Sequence, residues 1–541
     1  MRLFFVVLVG ASVWTVILGA ARNFRFDRLY DDAFIFQRYT TRLLSGGGLA
    51  WNAGGEPTYG MTSPLFLMLT TPLNLLCGGS AGLAALLSSA VGGVIFYLLT
   101  VRLVMKLDKR SLVRGAAIVA AFYCMAVSYM SDHFISGMET TFALSYMTAF
   151  LLAARRLEVR QSRGSALLLG ALGGAALGVR PELLSYTLLV PALLALLAKD
   201  EPVRRLGRTA LLTTVLLLAL HFVVNAVYFK SALPLSFYTK STLHYAARIS
   251  NSYRGIAAER MAWFVRSYWP LMLLALHQVL SRRRHLRETG SLIDVGVLGA
   301  TLTVAAYHLF VALPVMSFSQ RFLYPTLPAL FFLATRGLGG LASELKDTLE
   351  TLDRRLRALA LCGAMVPLLM FVVPKGKKYA TQTVREWAQR HYRFDMARYG
   401  TSKHAGQWVS VSEISRLPDT LVVATTEVGL PGALNPRQAV IDLAGLNERL
   451  FAHQRFSADK LFSVYAPDVI YMPHPDYADM RKGLRKHPAM RGYDLYEREE
   501  LPKGAMPIAL RRDSPHFEAL DRIIEGRLSG KGRRKKRERL R

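Results

Sequence analysis

The sequence predicts an α-helical polytopic membrane protein that carries a soluble α/β domain at its C-terminal end. Of the 541 residues, 52% are hydrophobic and only 20% are charged, which is too apolar for an ordinary soluble chain of this length. A helix that crosses a bilayer needs ~20 mainly apolar residues, and runs such as 81–101, 209–229 and 291–314 have that length. After residue 374 the apolar runs become short and alternate with polar stretches, as in a soluble domain.

About 11 transmembrane helices are predicted in the first 374 residues. They are expected at 3–22, 81–104, 112–130, 139–154, 165–180, 183–198, 209–229, 262–280, 291–314, 319–335 and 355–374. Residues 1–20 could instead be a cleaved signal peptide, but the many spans that follow favour an uncleaved first helix. Gly174 and Gly178 form a GxxxG pair, which predicts close packing of one helix on another.

Lys and Arg residues cluster in every second loop, near 105–114, 155–164, 199–208, 281–290 and 336–354. The positive-inside rule places such loops in the cytoplasm. The predicted protein is therefore a multi-pass protein of a bacterial inner (plasma) membrane, with a cytoplasmic N-terminus and an extracytoplasmic C-terminal domain. Segment 62–78 is apolar but short and contains Pro64 and Pro72, so we expect an interfacial or re-entrant helix there.

Three domains are predicted: a transmembrane catalytic module at 1–374, an extracytoplasmic α/β domain at 375–528 and a basic disordered tail at 529–541. The first module includes an outer loop at 23–80. Short strands are expected in the second domain at 421–425, 440–442, 469–472, 494–497 and 507–510. The net charge of +30 comes without a folded nucleic-acid motif, so the expected partner is the lipid bilayer and not a nucleic acid.

Two adjacent carboxylates, Asp31 and Asp32, precede a helix predicted at 33–44. One interpretation is an N-cap with a favourable helix dipole, although a cap needs one Asp and not two. The other is catalysis by one of the two carboxylates. Glycosyl transfer needs a base that takes the proton from an attacking hydroxyl group, and a partly desolvated carboxylate suits that role.

Three cations are predicted on the same outer face: Arg180 in a tight turn, Lys240 in an outer loop and Arg321 where a span begins. For each alone, a snorkelling interfacial side chain is the simpler interpretation. Together they favour a site for a phosphate leaving group, because such a group needs cations directed at it. Further candidate substrate contacts on this side are Glu56, Tyr59, His133, Glu139, Glu182, Tyr238 and Tyr324.

The sequence contains no HExxH or comparable metal-ligand spacing, so no metal site is predicted. A lone Mg²⁺ or Mn²⁺ on the acidic pair stays compatible with the sequence. It also contains no P-loop and no GxGxxG after a strand, which speaks against ATP-driven and dinucleotide chemistry.

An ordered set of motifs resembles the GT-C superfamily of glycosyltransferases, most closely the group that contains the terminal β-(1→2)-arabinofuranosyltransferases of cell-wall arabinan. The motifs are Asp31-Asp32-Ala33-Phe34-Ile35, Ser45-Gly46-Gly47-Gly48-Leu49-Ala50-Trp51-Asn52, Gly55-Glu56-Pro57, Tyr59-Gly60-Met61-Thr62-Ser63-Pro64-Leu65, Arg180-Pro181-Glu182, Leu233-Pro234 before Phe237-Tyr238-Thr239-Lys240, Arg321-Phe322-Leu323-Tyr324-Pro325, Glu427-Val428-Gly429 and Asp442-Leu443-Ala444-Gly445-Leu446-Asn447. Where arabinosyl relatives often have Glu-Gly-Tyr-Thr-Asn, this chain has Tyr59-Gly60-Met61-Thr62-Ser63, which leaves the sugar and the acceptor open.

The resemblance implies an enzyme that moves a sugar, with arabinofuranose as one candidate, from a polyprenyl-phosphate donor to a glycan, lipid or protein acceptor of the cell envelope. It places the catalytic carboxylate in the first outer loop, at Asp31 or Asp32. The alternatives are a lipid or solute transporter (flippase) and a scaffolding subunit. A transporter is expected to show internal repeats, and the sequence shows no convincing repeat. The charged residues also cluster at one face, so we favour the transferase.

Overall fold

The computed structural model describes residues 29–110, 113–115, 117–118, 133–134, 136–240, 252–311, 321–350 and 407–528. The spans predicted at 3–22 and 355–374, almost all of the span at 112–130 and the tail at 529–541 lie outside the described residues. Arg22, Arg25 and Arg28, at or just before the start of the outer loop, also lie outside the described residues.

The part of the chain up to residue 350 is almost entirely helical where it is described. Its helices are α1 (Asp31–Leu44), α2 (Pro64–Leu76), α3 (Ala81–Leu107), α4 (Thr140–Arg160), α5 (Arg163–Gly174), α6 (Leu184–Leu197), α7 (Glu201–Phe229), α8 (Leu235–Lys240), α9 (Ser252–Ser281), α10 (Thr289–Ala306) and α11 (Leu327–Glu350). Within the described residues, three segments are long and apolar enough to cross a membrane: α3, α7, and α10 with the turn that follows it. The expected number of eleven spans therefore stays a prediction.

One face of α7 shows directly that this bundle is built for an apolar environment. Leu212, Leu216, Leu220, Val223 and Val227 are each more than half exposed. Their spacing of three or four residues places them on a single face of the helix. A contiguous apolar surface of this kind marks a membrane-interacting face, because a water-soluble protein would bury it.

Two predicted helix boundaries differ from the structure in segments that contain a proline. The helix predicted at 165–180 ends at Gly174 and is followed by 3₁₀ turns at Ala176–Gly178 and Pro181–Leu183. Proline has no N–H to donate and pushes the preceding residue, here Arg180, out of the helical region. The helix predicted at 319–335 likewise begins only at Leu327, after a 3₁₀ turn that contains Pro325.

Other differences concern helix length. The basic residues predicted to lie in the loop at 199–208 largely belong to the first turns of α7, which begins at Glu201, and α11 continues to Glu350 through most of the loop expected at 336–354. The helices predicted at 33–44 and within 62–78 are both confirmed, as α1 and α2.

Small residues bring α5 close to α7. A side-chain carbon at Gly173 would collide with Thr214, and one at Gly174 would collide with Leu217. The expected role of this glycine-rich stretch in helix packing is therefore confirmed. The GxxxG interpretation is wrong in detail, because Gly178 lies beyond the break in the helix and packs on Leu65 of α2.

A buried ionic network ties four helices together at one end of the bundle. Arg336 of α11 lies 2.7 Å from Glu158 of α4 and 3.1 Å from Asp294 of α10. Gln278 of α9 donates a hydrogen bond of 2.7 Å to Asp294. Glu139 immediately precedes α4 and Glu158 lies near its other end, so this network is about 28 Å from Glu139 along the helix axis.

The C-terminal domain contains a five-stranded mixed sheet. Its strands are β1 (Val422–Thr425), β2 (Ala439–Asp442), β3 (Val469–Tyr471), β4 (Tyr493–Tyr496) and β5 (Ile508–Arg511). The order is β2-β1-β3-β5-β4, with β2, β1 and β3 parallel and with β5 antiparallel to both β3 and β4. All five predicted strands are confirmed, each within one or two residues.

Short helices complete this domain. They are α12 (Val411–Ile414), α13 (Gly429–Leu434), α14 (Arg449–Gln454), α15 (Ala458–Lys460), α16 (Ala478–Lys486) and α17 (Phe517–Glu525). The loops after β1 and β2, at the carboxyl ends of two parallel strands, face α1 and the first outer loop. This edge of the sheet is where α/β domains commonly place functional groups.

The contact between α5 and α7 gives a stability prediction. Gly173→Leu should destabilise the bundle by about 1–3 kcal/mol, because the added side chain has no space and forces the helices apart. The measurement is thermal unfolding of the purified protein in detergent. Gly164→Leu in the first turn of α5 is the matched control, since nothing lies within 4 Å of its Cβ position. Equal melting temperatures for the two variants would contradict this account of the packing.

Candidate active site

A cavity of about 450 Å³ lies between α1, the turns that follow α5, α8 and the end of α10. Small-molecule sites commonly have volumes of ~300–1,000 Å³. Its charged lining consists of Asp32, Glu139, Arg180, Glu182, Lys240 and Arg321. The rest is largely apolar and includes Ile35, Phe36, Met61, Leu177, Leu184, Leu233 and Val304. One cavity thus offers both an apolar wall and three charges of each sign.

Asp32 reaches this cavity from the first turn of α1. Its carboxylate lies 2.6 Å from the Nη2 atom of Arg321, and its side chain is 13% exposed. A carboxylate in the first turn of a 14-residue helix is also favoured by the helix dipole. Arg321 is buried beside it, and its Nη1 atom lies 3.8 Å from the sulfur of Met138.

Arg180 lies between two glutamates at the helix break. Its Nε atom is 2.6 Å from Glu182 and its Nη1 atom is 3.5 Å from Glu139. The same Nη1 atom donates a hydrogen bond of 3.3 Å to the backbone carbonyl of Arg321. Pro181 produces the turn that places Arg180 here instead of within a helix. One guanidinium group is therefore shared by two carboxylates.

The ring of Phe322 lies at the centre of the cationic side. The guanidinium carbons of Arg321 and Arg180 are 5.0 and 5.3 Å from its centroid, and the ammonium nitrogen of Lys240 is 5.9 Å away. These distances lie within the range of cation–π attraction. The three predicted cations thus meet around one aromatic ring.

Lys240 differs from the two arginines because it forms no ion pair with any residue in the described ranges. Burial lowers the pKa of Lys240, and the neighbouring Arg321 guanidinium lowers it further, whereas the Asp32 carboxylate opposes the shift. An ammonium group in this position gains from an additional anion in the cavity.

Asp31 is directed away from the cavity and towards the C-terminal domain. Its two carboxylate oxygens accept hydrogen bonds from the backbone N–H groups of Gly429 and Leu430, at 2.8 and 2.7 Å. Burial raises the pKa of Asp31 to about 7, against the effect of these two bonds. Successive residues of a helix point ~100° apart, so Asp31 and Asp32 meet different surroundings.

Arg38, also in α1, joins the two parts of the chain. It is completely buried, and it donates hydrogen bonds to the carbonyl oxygens of Trp51, Gly432 and Gln438 at 2.7, 2.7 and 2.8 Å. It also donates to the Asn52 side chain at 2.9 Å and stacks over the Trp51 ring. Arg38, which the sequence places in the outer loop, therefore docks this loop against the C-terminal domain.

Five of the seven predicted substrate contacts do not line the cavity. Glu56 forms exposed ion pairs with Lys230 and Arg449, which hold the outer loop to α7 and to the C-terminal domain; the bond from Lys230 and the nearby charges lower the pKa of Glu56. Tyr59 is buried, and its ring stacks on Phe229 at 4.8 Å.

The aromatic candidates outside the cavity pack with neighbouring rings. The ring centroid of Tyr238 lies 4.6 Å from that of His453 in the C-terminal domain. His133 and Tyr324 are fully buried and form an edge-to-face contact at 5.2 Å. The structure therefore brings together Asp32, the three cations, Glu139 and Glu182, and it places the other candidates around them.

The sequence analysis did not single out Phe322, His308 or Leu446, all of which line the cavity. Phe322 could have been chosen from its position beside Arg321. His308 is an ionisable residue within a predicted span, and such residues are functional candidates. Leu446 belongs to the motif at 442–447, but nothing in the sequence indicates that it reaches the cavity from the C-terminal domain, because only the fold places it there.

Within the described ranges, no group of three or more His, Cys, Asp or Glu residues is arranged to hold a metal ion. The carboxylates of Asp31 and Asp32 also do not face a common point at which a metal ion could bind. Both oxygens of Asp31 face backbone amides, and Asp32 faces Arg321.

Comparison with known proteins shows which fold this is. No protein-family model matches the chain, and no curated protein matches its sequence. The crystal structure of ArnT from Cupriavidus metallidurans bound to undecaprenyl phosphate is similar with a TM-score of 0.55 and 14% identity, covering 95% of this chain and 98% of that one. The same protein in the apo state gives 0.55 and 13%, covering 94% and 98%.

The archaeal oligosaccharyltransferase AglB from Archaeoglobus fulgidus, in complex with an inhibitory peptide and a dolichol-phosphate, is similar with a TM-score of 0.50 and 12% identity, covering 90% of this chain and 72% of that one. ArnT and AglB are both members of the GT-C superfamily. The chain therefore has the fold of GT-C glycosyltransferases. The closer resemblance to the arabinofuranosyltransferase group stays a prediction.

Docking through Arg38 gives a further prediction. Arg38→Met removes five hydrogen bonds and leaves buried backbone carbonyls without donors, which should cost about 3 kcal/mol or more. We expect faster limited proteolysis of the C-terminal domain and a lower melting temperature. Arg437→Met is the matched control, because the Arg437 side chain is 74% exposed and pairs only with Asp419. Identical proteolysis of the two variants would show that Arg38 does not hold the domains together.

Proposed function

We propose that this protein is an integral membrane glycosyltransferase, which moves a sugar from a polyprenyl-phosphate donor to a glycan, lipid or protein acceptor of the cell envelope. The observation that carries the proposal is the cavity, in which Asp32 and three cations lie beside an apolar wall. The shared fold with ArnT bound to undecaprenyl phosphate and AglB with dolichol-phosphate supports it.

The cations suit the leaving group of such a reaction. When the bond between the anomeric carbon and the phosphate oxygen breaks, negative charge develops on the polyprenyl phosphate. Lys240 is the cation without a described ion pair, and Arg321 and Arg180 lie around the same ring. Donors that are already directed at the developing charge lower the barrier. The apolar wall suits the first isoprene units of the lipid.

Asp32 is the proposed general base. It is the one of the two adjacent carboxylates that lines the cavity, so it can take the proton of the acceptor hydroxyl group as that oxygen attacks the anomeric carbon. The transfer is then balanced: the acceptor oxygen gains the sugar, Asp32 gains the proton and the lipid leaves as its phosphate. No nucleotide is needed at this step.

Asp31 is proposed as a positioning residue. Its bonds to Gly429 and Leu430 fix the first turn of α1 against the C-terminal domain. The next residue in the chain is Asp32, so the orientation of the base depends on this docking. The C-terminal domain thereby becomes a part of the catalytic machinery and not a separate module.

The side of the membrane and the sugar are proposed from the sequence alone. The basic loops place the cavity on the non-cytoplasmic side of a bacterial inner membrane, and the resemblance makes arabinofuranose the first sugar to test. A polyprenyl-phosphate flippase is the second candidate, because the apolar wall and the cations would also hold a lipid phosphate in transit.

The first test is transfer by the purified protein in nanodiscs, from a panel of radiolabelled polyprenyl-phosphate sugars to a membrane glycan extract. Asp32→Asn should lower the turnover number by about 10²–10⁴-fold, because the amide cannot act as the base. Asp513→Asn is the control, since the Asp513 side chain is 82% exposed. If the wild-type protein binds undecaprenyl phosphate but transfers no sugar, the flippase replaces the transferase.

A second test concerns the positioning role of Asp31. A side-chain carbon on Gly429 would collide with the backbone carbonyl of Asp31, so Gly429→Ala should displace the start of α1. We expect turnover to fall by about tenfold or more while donor affinity is retained, since small displacements of catalytic groups are costly. Gly483→Ala in the same domain is the control, because nothing lies within 4 Å of its Cβ position. Equal turnover in both variants would remove the positioning role.

A further inference from the structure

Four buried polar atoms of cavity-lining residues have no hydrogen-bond partner among the described residues, and two of them belong to Glu182 and Arg321, which form close ion pairs. The other two are the Oε2 atom of Glu139 and the Nε2 atom of His308. Glu139 is only 3% exposed, and both residues line the cavity. An unsatisfied buried polar group costs about 1–3 kcal/mol, so two of them at one cavity indicate a ligand that supplies the partners.

The chemistry of the two atoms restricts that ligand. A carboxylate oxygen only accepts hydrogen bonds, whereas an imidazole nitrogen donates or accepts according to its tautomer. A phosphate group offers no donor to Glu139 and would be repelled by its charge. A hydroxyl group both donates and accepts, so a ring that carries several hydroxyl groups satisfies both atoms.

The local backbone supports a functional role for His308. At Tyr307 the α-helical pattern of α10 changes to a π-helical turn that ends at Val311. Single π turns within helices occur frequently at functional sites. The imidazole ring of His308 lies parallel to the ring of Phe322, with centroids 5.5 Å apart and an interplanar angle of 7°. This stacking fixes the plane in which Nε2 is presented.

The two atoms lie next to the proposed phosphate site. Phe322 contacts His308 on the one hand and the three cations on the other. Glu139 is connected to the same group through Arg180, at 3.5 Å. In a phosphate-linked sugar the ring is directly attached to the phosphate. The residues that bind its hydroxyl groups are therefore expected about the width of one sugar ring away from the cations.

We propose that Glu139 and His308 form a subsite for a hydroxyl-bearing sugar ring, with Glu139 accepting a hydrogen bond from one hydroxyl group and His308 contacting another. This inference rests on the proposed function. The ring belongs either to the donor or to the acceptor, and the two sources share this chemistry. His308 would then contribute to the choice of sugar and not to the capture of the lipid phosphate.

The test compares the binding of undecaprenyl phosphate with the binding of the same lipid carrying arabinofuranose or a hexose, to wild-type protein, Glu139→Gln and His308→Ala in detergent. For a donor subsite, the wild-type protein should bind at least one sugar-bearing lipid more tightly than undecaprenyl phosphate. Each variant should lose about tenfold of that added affinity, which corresponds to roughly one hydrogen bond to a charged or well-placed group. Both should keep the wild-type affinity for undecaprenyl phosphate.

The acceptor is distinguished by a second measurement. If the ring belongs to the acceptor, all lipid affinities stay unchanged and the KM for the acceptor glycan rises about tenfold in the same variants. His285→Ala and Glu288→Gln are matched controls, because these two exposed residues pair with each other away from the cavity.

Two outcomes overturn the subsite. One is that neither a lipid affinity nor the acceptor KM changes, and the other is that affinity for undecaprenyl phosphate falls as much as affinity for the sugar-bearing lipids. Failure of the wild-type protein to bind undecaprenyl phosphate would instead count against the proposed function itself.

Discussion

The ion pair between Asp32 and Arg321 is the interaction on which the arrangement of the site depends. A charge that leaves water is tolerated only when a partner of opposite sign replaces the solvent, and both of these side chains are largely buried. The pair therefore requires that the start of α1 and the turn before α11 lie side by side. Once these two segments meet, Phe322 follows Arg321 into the centre of the cavity, and Lys240 and Arg180 gather around its ring.

The two adjacent aspartates contact different parts of the protein, the cavity and the C-terminal domain. Asp32 belongs to the cavity, whereas Asp31 is held by amides of the C-terminal domain. Because both lie in one helical turn, neither can move without the other. In the proposed reaction, any loosening of the C-terminal domain would therefore appear as a loss of catalytic geometry before it appears as a loss of lipid binding. The buried Arg38 adds a second contact with the C-terminal domain about two turns further along the same helix.

Much of this could be predicted from the sequence, for physical reasons that differ between elements. The strands of the C-terminal domain are short apolar runs between turn residues, and each was predicted within one or two residues. The helix end at Gly174 and the helix start at Leu327 were predicted less well, because the turns around Pro181 and Pro325 were given too little weight. The orientations of Asp31 and Asp32 could not be predicted, since they depend on contacts with residues 289 to 399 positions away.

The site shows the same division. Arg180, Lys240 and Arg321 were recognisable because a cation near a membrane needs a reason to be there. His308 has an equally informative side chain but lies inside an apolar run, where the hydrophobic pattern dominated the interpretation. Leu446 could not have been found at all, because a leucine in a loop gains a role only through the shape of the surface that it completes.

Most of the acceptors of Arg38 are backbone carbonyl oxygens, and this has a consequence for how such a chain can evolve. Every residue type offers a carbonyl, so the loops at Trp51, Gln438 and Asn435 can exchange their side chains without losing this part of the joint. Gly432 is restricted in size, because a side-chain carbon there would crowd Arg38 and Trp51. The side chains of Trp51 and Gln438 are constrained by separate hydrogen bonds. Hydrogen bonds that are accepted by backbone carbonyl groups persist when the side chains at those positions change, so this interface tolerates substitution there.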